Sequence, residues 1–192
     1  MFESINTHVS KCTLLTQAET DLFNSLLEFR KVPRKTMLLR EGEICNFEAY
    51  INKGCIRNYY IDEQGAEVIL QFAIEDWWVS DIASFQSHIP SNMFIETLED
   101  CELLLLSPHT KDELLSKVPK LERMFRLMVQ RNLAVLQSRL FKTIATSAEE
   151  KYLDFIRRYP TIPQRVAQHY IASYLGISAE FLSKVRKRLS KR

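Results

Sequence analysis

The sequence has no apolar run near the ~20 residues that a membrane-spanning helix needs. Its longest candidate, Leu103–Leu106, is the length of a strand. The N-terminus, MFESINTHVSK, lacks a basic segment followed by an apolar core, so no secretory signal is expected and the cytoplasm is the expected location. Cysteine is scarce, with four residues in 192. Cys12, Cys45, Cys55 and Cys101 form no CxxC pair and have no histidine at zinc-finger distance. That spacing argues against a metal site and for reduced, mostly buried thiols. There is no internal repeat and no low-complexity tract. His88, His109 and His169 show no ligand spacing. Asp76, Asp81 and His88 are isolated and offer no nucleophile–base–orienter set, so an enzyme is not expected.

What is present is an ordinary globular composition, 46% hydrophobic, with length for one large domain or two small ones. Thr16-Gln-Ala-Glu19 is a capping box that opens an amphipathic helix over Leu22, Phe23, Leu26 and Leu27, ending near Arg30 before Pro33. From Thr36 to Ser107 the texture changes to short β-branched and aromatic runs. Met37–Arg40, Phe47–Asn52, Cys55–Ile61, Val68–Ala73, Met93–Leu98 and Glu102–Leu106 read as strands. Gly42, Gly54 and Gly65, three of only four glycines, fall at the breaks. Strands at this spacing predict a small β-sandwich or barrel with room for a core or a small-ligand cavity. Trp77 and Trp78 are adjacent, which predicts one in the core and one exposed beside Ser80-Asp81, where it lines a weak candidate pocket.

Helices follow. Ser107-Pro108 starts a short helix to Lys117. Pro119 opens a longer one, Leu121 to about Lys142, with Phe125, Met128, Val135 and Leu136 near a 3–4 repeat. Its apolar residues occupy more than one face, so one face is expected on the β domain and another on a partner helix. Ser147-Ala-Glu-Glu150 is a second capping box, and Pro160-Thr-Ile-Pro163 reads as a rigid linker.

The last segment, QHYIASYLGISAEFLSKVRKRLSKR, reads as two short helices joined at Gly176. Ile171, Ala172 and Leu175 share one helical face, and Ala172 is small where a second helix crosses. Glycine takes a positive φ without a Cβ clash, so Gly176 can end the first helix. Ser178 is a good N-cap for the second, with Glu180 in its first turn. Leu182, Val185 and Leu189 form a buried stripe, and Ser183, Lys184, Lys187 and Arg188 point elsewhere. A helix-turn-helix requires this arrangement. Residues 178–192 hold six basic and one acidic residue, net +5, whereas residues 1–177 hold 20 basic against 23 acidic, net −3. A basic end on a nearly neutral chain suits a phosphate backbone. Within it, Glu180 can accept from cytosine N4 and Lys184 can donate to guanine O6/N7. Ser178 and Ser183 lie at the same end. Lys187, Arg188, Lys191 and Arg192 read as phosphate contacts.

A β-rich domain, a long helix and a helix-turn-helix, in that order, resemble the cyclic-AMP receptor protein/Fnr (Crp/Fnr) superfamily of bacterial transcriptional regulators. IASYLGISAEFLSKVRKRL looks like that family's DNA-binding signature, with Glu180, Ser183 and Lys184 on its Glu-x-x-Ser-Arg positions. The resemblance implies an α+β fold. It comprises an N-terminal β-roll of the cyclic-nucleotide-binding jelly-roll type (1–118), a dimerisation helix (119–142) and a helix-turn-helix domain (143–192). It implies a homodimer, paired through Leu121, Phe125, Met128 and Val135, on near-palindromic double-stranded DNA, with RNA polymerase as a further partner. Two departures matter. Asp76-Trp77 stands near the family's Gly-Glu pair, and Ser91-Asn92 stands where its Arg-Ser pair holds the cyclic phosphate. Without that arginine a buried phosphate lacks its charge-assisted partner, so cyclic AMP is not expected, and no cofactor motif stands out. The expected effector pocket is therefore Trp77, Trp78, Ser80, Asp81, Ser91 and Asn92, for another ligand. Members also end in a β-hairpin wing. Here three residues follow Leu189, so a reduced or absent wing is expected. Cys12 alone does not reproduce an iron–sulfur spacing, so oxygen sensing by that route is not expected. A small-molecule module whose C-terminal helices serve protein contacts is the alternative.

Overall fold

The computed structural model describes residues 1–189, which divide into two compact units. The first comprises residues 1–58 and 73–131, the second residues 59–72 and the chain from Asn132 onward. The units are therefore interleaved along the sequence.

The first unit begins with α1 (Glu3–Ser10) and α2 (Gln17–Ser25). The Thr16–Glu19 capping box forms as the sequence predicts. The helix stops at Ser25 rather than near Arg30, because Glu28–Val32 forms β1, antiparallel to β8 (Cys101–Leu106). Ladder pairing over five residues there outweighs the helical spacing of the preceding leucines. The remaining strands are β2 (Met37–Leu39), β3 (Glu48–Lys53), β4 (Ile56–Ile61), β5 (Glu67–Ala73), β6 (Trp78–Val79) and β7 (Phe94–Thr97). They form two four-stranded sheets, β1-β8-β3-β6 and β2-β7-β4-β5. Short β6 and helix α3 (Ile82–Ser87) carry too few residues to show a period in sequence.

Strand alternation explains how one run of leucines serves two cores. In β8, Leu103 and Leu105 join Ala49, Ile51, Ile56 and Ile95 in one core. Leu104 and Leu106 face the other side and meet Ile5, Phe23, Tyr50, Leu114, Leu121 and Phe125. Each fully buried leucine contributes about 1.5–3 kcal/mol of transfer free energy. Helix α4 (Pro108–Lys117) has its Ser107 N-cap and Pro108 start. Gly54 is required where it stands: its φ is +113°, and a Cβ there would lie 2.4 Å from the Cys101 sulfur.

A polar cluster closes the same helical layer. The Tyr50 hydroxyl donates to Asp76 at 2.6 Å, and Ser4 also donates to that carboxylate. Burial and the bond to Asp76 push the Tyr50 hydroxyl well above its usual range. Asp76 itself is a non-glycine residue at φ +67°. Aspartate tolerates the left-handed region better than most residues.

Helix α5 (Lys120–Ala145) has 26 residues, about 39 Å of helix at 1.5 Å per residue. In the second unit it is followed by α6 (Ala148–Arg158), α7 (Ile162–Arg165), α8 (Gln168–Leu175) and α9 (Ala179–Leu189). The Ser147–Glu150 capping box starts α6. Pro160–Pro163 is not wholly a linker: Pro163 sits in the first turn of α7 and Ile162 is buried. Phe72, Phe155, Tyr159 and Tyr174 form an aromatic cluster with ring centroids 5.3–6.4 Å apart. The Arg139 guanidinium lies 4.0 Å from the Tyr174 ring centre. It donates to the carbonyls of Ile69, Leu70 and Tyr174. Ser173 adds a hydroxyl that receives from Ile69 N–H at 3.0 Å and donates to Glu67 C=O at 2.8 Å. The hairpin formed by the outer parts of β4 and β5 is thereby fastened to α5 and α8.

Candidate nucleic-acid interface

Helices α8 and α9 and the turn between them form as the sequence predicts. Gly176 adopts φ +67° as the C-terminal cap of α8, and Ile177 N–H returns to the Ala172 carbonyl at 3.0 Å. Nothing lies within 4 Å of where a Gly176 Cβ would stand, so the glycine serves the backbone angle and not a close contact. Ser178 Oγ accepts from Phe181 N–H at 3.1 Å, which satisfies one of the free donors at the start of α9. Ile171, Ala172 and Leu175 are buried, as are Leu182 and Val185. Leu189 is half-buried.

The rest of α9 faces solvent. Ser178, Glu180, Ser183, Lys184, Arg186, Lys187 and Arg188 are all exposed. Three basic residues, Arg186, Lys187 and Arg188, occupy the last turn, the end where a helix favours positive charge. Arg188 lies 3.4 Å from Glu149 of α6, an exposed ion pair that contributes little stability. Lys191 and Arg192 lie outside the described residues. Sequence reasoning missed Phe181, which keeps 45% of its surface exposed in the first turn of α9. The sequence carried no signal for it: Phe181 stands i, i+4 from Val185 and reads as part of the buried stripe.

The dimerisation set needs correction. Leu121 and Phe125 are buried in the chain's own core with Met124, because the first turns of α5 cover the β1-β8-β3-β6 sheet. Met128 is partly buried against that core and Val135 is half-buried. The exposed large apolar residues of α5 are Val129, Leu133, Leu136, Leu140, Phe141 and Ile144, from 47% to 79% exposed. Four of them, Val129, Leu133, Leu136 and Leu140, follow a 4–3–4 spacing and lie along one stripe.

The residues expected to line an effector pocket are largely turned inward. Trp78 is buried, its ring centre 5.5 Å from that of Tyr50 and 5.7 Å from that of Phe125, so it packs in the core. Trp77 is half-buried against the inter-sheet core. Ser80 Oγ donates to the Phe47 carbonyl at 2.9 Å. Buried Asp81 caps α3 by accepting from Ala83 and Ser84 N–H, and receives the Ser91 hydroxyl at 2.7 Å. Asn92 alone of the six is exposed. Arg57 of β4 is almost fully buried in a 2.6 Å ion pair with Glu96 of β7. No cluster of His, Cys, Asp or Glu among the described residues could hold a metal ion. No helix among them is long and apolar enough to cross a membrane.

Residues 29–117 match the cyclic nucleotide-binding domain family. Over 189 residues the chain is 26% identical to the anaerobic regulatory protein of Pasteurella multocida, covering 92% of this chain and 68% of that one. It is also 26% identical to the fumarate and nitrate reduction regulatory protein of Escherichia coli K12, over 92% of this chain and 75% of the relative. Among solved structures it superposes on the c-di-GMP-responsive global regulator CLP of Xanthomonas campestris with a TM-score of 0.71 and 18% identity, covering 92% of both chains. A cyclic nucleotide-binding domain followed by a helix-turn-helix, with similarity to these regulators over nearly the whole chain, supports a transcriptional regulator of the Crp/Fnr type.

Proposed function

We propose that the protein binds duplex DNA as a homodimer on a near-palindromic site and answers to an effector other than cyclic AMP. The observation that carries the DNA reading is the division of α9. Leu182 and Val185 are 0% and 1% exposed, while Glu180, Ser183, Lys184 and Lys187 all face solvent. In this reading Glu180 and Lys184 address base edges in the major groove. Ser178, Ser183, Lys187 and Arg188 address the phosphate backbone, with Lys191 and Arg192 in the same role. In this reading residues 1–118 sense, 119–142 pair and 143–192 read DNA.

The pairing surface proposed is the stripe Val129, Leu133, Leu136 and Leu140, continued by Ile144. A second copy of α5 would cover these side chains by the ordinary packing of a parallel helix pair. A two-fold dimer places its recognition helices about one DNA turn apart, ~34 Å, so small changes in their separation alter affinity steeply. The exclusion of cyclic AMP is supported by charge. At the position where an anionic phosphate would need a cation, Ser91 is bonded to the buried carboxylate of Asp81. The cytoplasm and RNA polymerase follow from the same reading as place and partner.

Selection of bound duplexes from a random pool tests the proposal. An inverted repeat with one-turn spacing is the expected product. Recovery of no common sequence, together with duplex binding that does not respond to salt, would refute it and favour a module acting through protein contacts.

A further inference from the structure

Among the side chains of α9, Phe181 is out of keeping with its surroundings. Its sequence neighbour Leu182 is fully buried, yet Phe181 is 45% exposed and adds no packing to the α8–α9 core comparable with that of Leu182 or Val185. A large aromatic left in water on an otherwise polar surface carries unsatisfied hydrophobic area. The backbone beneath it is fixed, since its own N–H is held by Ser178 Oγ. At 3.6 residues per turn, Phe181, Lys184 and Arg188 are spaced i, i+3, i+7 and share one strip of the helix. The ring therefore stands beside the lysine proposed to contact bases, at the helix end that a helix-turn-helix presents to the groove.

We infer that Phe181 is a specificity-determining residue that packs against a thymine methyl group in the major groove, an inference that rests on the DNA-binding reading above. Glu180, Ser183 and Lys184 can address only hydrogen-bond donors and acceptors. Among major-groove base edges the apolar group is the C5-methyl of thymine, and phenylalanine is one of the side chains that contacts it. Insertion between base steps, the other use of an apolar wedge, belongs to minor-groove binders. Phe181 thus adds a methyl readout beside the polar readout, at a position one residue removed from Glu180.

The test uses the full-length protein and the operator obtained by duplex selection. Each thymine is replaced in turn by deoxyuridine, which removes the methyl and leaves every hydrogen-bonding group in place. The wild-type protein is expected to lose about fourfold in affinity at one thymine per half-site, the equivalent of about one buried methylene. Replacement in both half-sites should cost about sixteenfold. Phe181→Ala should bind the thymine and deoxyuridine duplexes equally and keep the wild-type salt slope, and Phe181→Leu should keep part of the discrimination. Thermal unfolding of each variant at the wild-type temperature checks that the fold is intact. Two results overturn the assignment alone: a selected operator whose deoxyuridine forms bind as well as the original, or a Phe181→Ala protein that still discriminates them. Failure to select any operator overturns the DNA reading and this inference with it.

Discussion

Lys184 and Lys187 lie three residues apart on the exposed face of α9 and are assigned different work. Lys184→Ala should relax base preference at one operator position, at a cost of about 1–3 kcal/mol on the cognate sequence. Lys187→Ala should weaken cognate and random duplexes alike and lower the salt slope by about one. Titrations at several salt concentrations separate the two, and equal behaviour of both variants would remove the distinction. Asp76 gives a second residue-scale prediction. Partial burial alone would raise its carboxyl, but the Ser4 and Tyr50 hydrogen bonds with nearby His8 and Lys11 outweigh this and hold it below 3.8. A depressed carboxyl contributes stability above its unfolded value, and that contribution is lost as pH falls through the folded value. His8 acts earlier. Burial keeps its imidazole below 6.5, so the unfolded chain takes up the proton more readily and stability declines as pH falls from there. Urea midpoints measured down a pH series should therefore fall in two stages, with Asp76→Asn flattening the later one. Neither the Asp76–Tyr50 bond nor its partner Ser4 was legible in the sequence, because the three are brought together by strand register and an unsuspected first helix.

At the scale of elements, α5 carries two different jobs along its length. Its first turns are core, and Leu121→Ala should destabilise the protein by about 2–5 kcal/mol. Its exposed stripe is a surface, and Leu136→Glu should leave the unfolding midpoint of the isolated chain nearly unchanged while converting dimer to monomer. Sedimentation and denaturant titration read the two variants independently, and a Leu136→Glu protein that stays dimeric would exclude the stripe as the pairing face. Sequence periodicity located this helix to within about three residues at either end, yet assigned Leu121 and Phe125 to the wrong side. Both sides of the helix are apolar, and a 3–4 repeat does not say which side the protein's own sheet will claim. The capping boxes at Thr16 and Ser147 and the N-cap at Ser107, by contrast, were legible, since their bonds are local. Strands β1 and β6 were not, because their existence depends on partners such as Leu105 and Ala49, far away in sequence. The helix-turn-helix combined both advantages: local caps at Gly176 and Ser178 and a short-range apolar stripe. Phe181 was overlooked because an apolar residue next to Leu182 reads as more of the same core until its exposure is seen.

For the molecule as a whole, the important feature is the fastening of the β4–β5 hairpin by Arg139 and Ser173. Ile69 and Ser173 are 104 positions apart, yet they share a hydrogen bond. The second unit is thus assembled from an early piece of chain and a late one. On the ribosome, the hairpin must wait for most of the remaining protein before its partners exist. A fragment beginning in α5 would carry every proposed DNA-contacting side chain and still lack a strand pair that its helices are built around. Arg139 would then have lost two of its three carbonyl acceptors, and Phe155 and Tyr174 would have lost Phe72. The DNA-reading end of this protein is therefore not a detachable cassette, and grafting it onto another sensor would require carrying fourteen residues of the β-roll along with it.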